Sequence, residues 1–469
     1  MMTVQEAARV LQADWVGEDA YFTGISTDSR TVTRGDLFVA LQGPSFDGHD
    51  FVAQVRDKGA AGAMVHRGSE AGAGKPGIPL IFVENTRLGL GRLAAYWRGR
   101  FRIPVVAVTG SNGKTTVKEM IASILQHVTE PEEKVNGKMN GSDQVLATEG
   151  NLNNDIGVPL MLLRLRDRHR YAVIEMGMNH SGEIAYLTRL ARPDVALITN
   201  AGEAHVEGVG SLEAVARAKG EIFEGLDPQG IAVINADDRY APLWRNLAGN
   251  REIMDFGLKG KPRVSARCRP DSCEPGPSGN RMTLLLPDGA EDVELQVPGE
   301  HNVRNALAAA AAAVGMGIGA KAVASGLSAF RGVKGRMQQK RGLHGATLID
   351  DSYNANPDSV RAALAVLAKA EGKKILVLGD MGELGERTRD FHERIGEEAR
   401  IAGIDRLVAL GELSAYTAKK FGRGGRHFKE IEELLAEIES LLGPGVTLLI
   451  KGSRFMQMER VVKRFELAA

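Results

Sequence analysis

Cysteine is almost absent: Cys268 and Cys273 are the only two among 469 residues. They lie in a Pro- and Gly-rich stretch with no second pair to complete a zinc site, so they read as surface thiols in a reducing compartment. Neither sign of charge is in excess, with Lys plus Arg at 59 and Asp plus Glu at 59. No overall field therefore draws the chain to nucleic acid or to an acidic membrane, and any anionic ligand must be held by a local site. No apolar run reaches the length of a membrane span, and Gln5, Glu6 and Arg9 stand where a signal peptide would be apolar. A cytoplasmic protein without membrane insertion is expected. No short internal repeat is visible either. What remains is the composition of a globular protein, 43% apolar and 25% charged, long enough for two to four domains.

The densest local signal is Thr109-Gly110-Ser111-Asn112-Gly113-Lys114-Thr115-Thr116. Val105 to Val108 run into it as a buried strand would, and Val117 to Leu125 leave it with helical periodicity. A glycine loop at that junction aims its backbone N–H groups and the positive end of the helix at one point, where an anion satisfies them. Lys114 is then set to reach the β/γ-phosphates of a nucleotide and the Thr115 hydroxyl to hold Mg²⁺. Val108 stands where the longer phosphate-loop pattern has Gly, so a shortened loop is expected. The plainer alternative is a Gly-containing turn.

Residues 1 to about 85 form a first unit with strand-like runs at 36–41 and 80–83. Two polar loops between them, 26–30 and 43–49, could receive a nucleotide or sugar phosphate, or could be ordinary turn chemistry. A helical run, 88–101, leads to the phosphate loop, and the polar stretch 129–149 beyond it is expected to be a mobile excursion. An Asn-rich turn at 150–159 opens a helix. The strand 171–176 carries Glu175 near its carboxyl end, 195–200 leads into a loop with His205, and a helix from Ser211 carries Lys219. All three groups follow from elements of one parallel sheet and face its ligand edge. Each alone is explained as well by a salt bridge, a loop histidine or a solvated lysine. From 250 to 298 short runs separated by Pro and Gly read as hairpins. His301 to Asn305 opens an Ala-rich helix, and alternating strands and helices from 348 onward make a separate doubly wound α/β domain.

Taken together, the loop at 109, Glu175, Asn200 to His205, Ala218-Lys219-Gly220-Glu221, Gly299-Glu300-His301-Asn302, Gly335-Arg336 and Asp350-Asp351 resemble the Mur ligases of bacterial cell-wall synthesis over essentially the whole chain. Within that family, Asp350-Asp351-Ser352-Tyr353-Asn354-Ala355-Asn356-Pro357 and the run 378–385 look like the member that adds D-alanyl-D-alanine. The resemblance implies an α/β protein of three domains: 1–85 binding the UDP substrate, 86–333 binding ATP, and a Rossmann-like 334–469 receiving the dipeptide. It implies ATP-dependent ligation of D-Ala-D-Ala to UDP-N-acetylmuramoyl-tripeptide through an acyl phosphate, by a monomer. Lys114, His205, Lys219 and Arg336 would be catalytic, and residues 109–116, Asn302 (adenine), Arg336 (phosphate) and Asp351 (ribose) would bind ATP. Thr115 and Glu175 would hold the nucleotide's Mg²⁺, and His205 with a carbamylated Lys219 a second Mg²⁺. Ser29 and Arg30 would meet the uridine diphosphate, and Asn153 and Asn154 the rest of that substrate. Lys451 to Arg454 would face the acceptor's carboxylate or simply open a helix. The two glycines in 330–335 suit a hinge that closes the last domain over the nucleotide. A phosphotransferase or nucleotide-gated switch is the competing class, for which a third domain supplying Arg336 and Asp351 has no use.

Overall fold

Val105–Thr109 is the buried strand that its apolar run requires, and Lys114–Thr129 is the helix that follows the glycine loop. The computed structural model describes residues 1–69, 77–129, 141–203, 206–268 and 279–467. In it Val105–Thr109 lies inside a six-stranded parallel sheet, in the order Glu252–Phe256, Ile231–Asn235, Val195–Ile198, Val105–Thr109, Tyr171–Glu175, Val145–Ala147. The chain leaves Val105–Thr109 first toward one edge and later toward the other. The connections diverge at its carboxyl end and open a crevice there, where ligands of such sheets bind.

One face of this sheet is covered by Lys114–Thr129 and Glu300–Gly315, and Ala320–Ala329 packs on Lys114–Thr129 and on the strand Gly289–Leu295. Alanines at 306 and 308–313 are buried, and these small side chains let the helices approach closely. At Gly326 the approach is closest: Ser123 Oγ donates to its carbonyl at 2.7 Å, and a Cβ there would lie 2.4 Å from Ile124 Cα.

The first unit is a five-stranded sheet, Asp14–Val16, Leu80–Val83, Gly62–His66, Asp36–Val39, Gly24–Ser26, parallel except for the first pair. The last is a six-stranded sheet in which Thr347–Asp351, Val446–Lys451, Lys373–Gly379, Arg406–Leu410 and Gly425–Phe428 run parallel and Gln338–Arg341 pairs antiparallel at one edge. The expected α/β architecture is present. Among the described residues no helix is long and apolar enough to cross a membrane.

Three expectations need correction. Glu252–Phe256, read as part of the hairpins, extends the parallel sheet, because Met254 and Phe256 turn inward beside Ile231–Asn235. The hairpin proper is Asn280–Leu286 with Gly289–Leu295. Within the polar stretch 129–149, Val145–Ala147 is an edge strand whose buried Val145 and Leu146 pair with Tyr171 and Ala172, while 130–140 lies outside the described residues. The helix expected at 88–101 spans Thr86–Arg98, started by the Asn85 side chain, which accepts from Leu88 N–H.

Gly326→Ala adds a methyl group against backbone that cannot retreat. It should lower stability by about 1–3 kcal/mol in urea unfolding despite the better helix propensity of Ala, and unchanged or raised stability would contradict this packing.

Candidate active site

The phosphate loop is fastened to the exit of the neighbouring strand. Ser111 N–H donates to the Asn200 carbonyl at 3.0 Å and Asn112 N–H to Asn200 Oδ1 at 2.9 Å. Thr199 Oγ1 donates to the Asn112 carbonyl at 2.6 Å, and Gly202 N–H to Ser111 Oγ at 2.9 Å. Gly110, at φ +144°, has no room for a side chain, since a Cβ would sit 1.9 Å from Thr199 Oγ1. At Gly113, with φ +83°, a Cβ would sit 2.4 Å from Asn305 Oδ1. The N–H groups of the first turn of Lys114–Thr129 have no intrahelical acceptors and face the crevice, the arrangement an anion satisfies.

Lys114 folds back so that Nζ donates to the Gly110 carbonyl at 2.7 Å. It lies deep in the crevice, and loss of water pulls its pKa down; Glu175 opposes that shift and Arg336 adds to it. Glu175, 2% exposed at the end of Tyr171–Glu175, accepts from Asn153 Nδ2 at 2.8 Å through Oε1, while its buried Oε2 has no partner among the described residues. Lys219 is stranger. It is 0% exposed, its amine has no hydrogen-bond partner among the described residues, and burial followed by repulsion from Lys114 pulls its pKa far below that of an ordinary lysine. Burial of this kind favours the neutral form of an amine.

From the last sheet Arg336 reaches the phosphate loop: Nη2 donates to Thr115 Oγ1 at 3.0 Å, and the guanidinium carbon lies 4.4 Å from the centre of the Tyr353 ring. Asp351 accepts from Lys451 Nζ at 2.6 Å and from Met337 N–H at 3.2 Å. Asn302 is buried, donating to the Pro298 carbonyl at 2.7 Å and accepting from Asn305 Nδ2 at 3.1 Å. Asn154 Oδ1 accepts from Gly157 N–H at 2.8 Å and so shapes the turn beside Asn153.

These elements enclose one cleft of about 1130 Å³, above the roughly 300–1,000 Å³ of a typical single-ligand pocket. Residues 111–116, Asn153, Asn154, Glu175, Asn302, Arg336 and Asp351 line it, as do Lys451, Ser453 and Arg454. Thr109, Gly110 and Lys219 are not in its lining. Ser29 and Arg30 do not line it either: Arg30 forks onto Asp28, with Nη2 2.7 Å from Oδ2, and Lys58 Nζ donates to the Ser29 carbonyl at 2.7 Å. His205 lies outside the described residues. Among the described residues no three His, Cys, Asp or Glu side chains gather as a metal cage. The free Oε2 of Glu175 and the Thr115 hydroxyl are nonetheless hard oxygen donors at the phosphate loop, the kind Mg²⁺ takes when phosphate and water supply the other ligands. Sequence reasoning missed Asn305, which packs the glycine loop from the Ala-rich helix, and Asn356 and Asp358, which meet the loop region from the last sheet's side. Only the spacing of the Asn302 and Asn305 pair, one helical turn apart, hinted at a shared face.

Three family models match the chain: "Mur ligase family, catalytic domain" at 21–98, "Mur ligase middle domain" at 108–313 and "Mur ligase, glutamate ligase domain" at 335–454. The UDP-N-acetylmuramoyl-tripeptide–D-alanyl-D-alanine ligase of Escherichia coli (strain K12) is 40% identical over 99% of this chain and 98% of its own. A crystal structure of MurF from Acinetobacter baumannii superposes with a TM-score of 0.89 at 37% identity, covering 99% of this chain and 98% of that one. The MurF ligase of Thermotoga maritima, solved in complex with ADP, gives 0.79 at 26% identity over 94% and 96%. With a relative this similar along its whole length and the phosphate loop, Glu175 and Arg336 meeting in one cleft, the chain belongs to the Mur ligase family.

Proposed function

We propose that this chain is the ATP-dependent ligase that joins D-alanyl-D-alanine to UDP-N-acetylmuramoyl-tripeptide, giving the pentapeptide precursor of peptidoglycan. The observation that carries it is the single cleft in which a phosphate loop, a buried carboxylate on the central sheet and cationic groups from the last sheet meet. A carboxylate oxygen of the tripeptide attacks the γ-phosphorus, the bond to ADP breaks, and an acyl phosphate forms. The dipeptide's amine then attacks the acyl carbon, the carbon–oxygen bond breaks, phosphate leaves and the amine loses a proton. Lys114 and Arg336 neutralise charge on the transferring phosphoryl group, which needs electrostatic help more than covalent help.

The proposed division is 1–85 for the UDP substrate, 86–333 for ATP and 334–469 for the acceptor, with 330–335 as the hinge. Gly332 and Gly335 both have positive φ there. Residues 109–116 hold the phosphates, Asn302 faces adenine, Asp351 the ribose, and Asn153 and Asn154 the tripeptide nucleotide. Ser29 and Arg30 are assigned to its uridine diphosphate, which would lie beyond the cleft. Thr115 and Glu175 would hold Mg²⁺, which supplies charge neutralisation between the phosphates when bound. His205 and Lys219 are assigned to a second such site. A cytoplasmic monomer completes the proposal.

Lys219 as an ammonium would repel a cation, but as a neutral amine, the form its burial favours, it can add CO₂ and lose a proton, leaving an anionic carbamate oxygen. Native protein equilibrated with ¹³C-bicarbonate should therefore give a carbamate carbon resonance that Lys219→Ala lacks. Lys219→Ala should lose ligation and regain part of it with added formate. An identical spectrum for the variant, or full activity without formate, would refute the carbamate.

Lys114→Ala should lower kcat by about 100-fold or more with little change in melting temperature, since one preorganised charge at the transferring phosphoryl group is removed. Near-normal kcat would exclude Lys114 from the chemistry. As acceptor, D-Ala-D-Ala should support turnover far better than L-lysine or diaminopimelate, and preference for a single amino acid would move the chain to another activity within its family.

A further inference from the structure

Several contacts that join the last sheet's unit to the central one meet at the phosphate loop and at the segment that fastens it. The helix Pro357–Leu367 begins with a reciprocal cap: Asn356 Oδ1 accepts from Ser359 N–H at 2.9 Å, and Ser359 Oγ accepts from Asn356 N–H at 2.9 Å. That leaves the Asn356 amide nitrogen free to donate, and it donates to Asn112 Oδ1 of the phosphate loop at 2.8 Å. Two residues on, Asp358 Oδ2 accepts from the backbone N–H of Glu203 at 2.9 Å. Its other oxygen, Oδ1, receives Arg361 Nη1 at 3.1 Å, and the same guanidinium group reaches Glu203 Oε2 at 3.4 Å and Glu398 Oε2 at 3.0 Å. Gly202 has no side chain where one would collide, since a Cβ there would lie 2.5 Å from Asp358 Oδ2. Gly202 N–H in turn donates to Ser111 Oγ at 2.9 Å.

We propose that Asp358 is a positioning residue: its carboxylate clamps the Gly202–Glu203 backbone, and through Gly202 and Ser111 it fixes the phosphate loop only when the acceptor-binding unit is docked. The proposal rests on the assignment of 334–469 as the acceptor domain. Its physical content is a coupling. Docking of one domain and the shape of the nucleotide loop in the other share a single hydrogen-bonded chain, Asp358 to Glu203 and Gly202 to Ser111, with Asn356 to Asn112 alongside. Arg361 holds the carboxylate in line by taking its second oxygen, so the clamp is oriented from within the helix that carries it. A carboxylate near a helix start also favours the helix itself, and this local effect must be separated from the clamp.

Two variants separate them. Asp358→Ser keeps a residue suited to the start of a helix but is too short to reach Glu203 N–H. Asp358→Asn keeps an oxygen for that N–H but turns an NH2 donor toward Arg361, so it loses the charge and the oxygen that Arg361 takes while keeping the bond of the clamp itself. Hydrogen exchange followed by mass spectrometry reads the clamp without any turnover. Peptides spanning 199–203 and the phosphate loop should exchange about 10- to 100-fold faster in Asp358→Ser, as befits loss of one hydrogen bond to a charged group, and close to the wild-type rate in Asp358→Asn. Steady-state kinetics should follow: kcat falls about 10-fold or more in Asp358→Ser with little change in the KM for ATP, and Asp358→Asn restores most of it. Unchanged exchange at 199–203 in Asp358→Ser overturns the clamp, as does faster exchange confined to 357–367, which would mark a purely local helix effect. Equal losses in both variants with a lowered melting temperature overturn it as well. If wild-type protein does not ligate D-Ala-D-Ala, the proposed reaction fails while the exchange result still decides the clamp.

Discussion

Everything at the site depends on how closely the phosphate loop is pressed against the strand exit beside it. Gly110 has no space for a Cβ next to Thr199, Gly113 none next to Asn305, and Ser111 and Asn112 are held by Asn200 and Gly202. The glycines are thus required by neighbours as well as by their positive φ. With the last domain docked, a loop so enclosed cannot reshape itself, so its N–H groups are already aimed when the reaction starts. That preorganisation is what electrostatic catalysis needs, because the donors do not have to reorient while charge shifts.

Charge is managed by the same economy of place. The chain has no net charge, yet Lys114, Arg336 and Lys451 line one cleft. Each cation is treated differently. Lys451 is neutralised by Asp351 at 2.6 Å, Arg336 lies over the Tyr353 ring, and Lys114 rests on backbone carbonyl oxygen. Lys219, behind them, is fully buried, and its amine has no hydrogen-bond partner among the described residues. An isolated ammonium there would cost several kcal/mol, so the protein must keep it neutral or convert it.

What could be read in the sequence was whatever repeats locally. The strand, glycine loop and helix at 105–129 were legible because apolar period and glycine placement coincide within a few residues, and so was the alternation of the last third. Edge strands were not: Gln338–Arg341 is polar and half-exposed, and Gly425–Phe428 was passed over between helices because an edge needs only one covered face. The Asp28–Arg30 pair bears the marks of turn chemistry, one of the two readings open for that loop. Asn356 and Asp358 were illegible for a different reason. Their partners lie far along the chain, Asn112 from Asn356 and Glu203 from Asp358, and no local pattern encodes a meeting that only the docking of two domains creates.

The central claim is that this cleft transfers the γ-phosphoryl group to a substrate carboxylate before the amide forms. It is tested most directly with tripeptide nucleotide carrying ¹⁸O in its terminal carboxylate, turned over with ATP and D-Ala-D-Ala, the released phosphate being examined by mass spectrometry. Attack of the amine on an acyl phosphate breaks the carbon–oxygen bond, so one labelled oxygen per turnover should appear in phosphate. Phosphate free of label, with amide product still formed, would contradict the account.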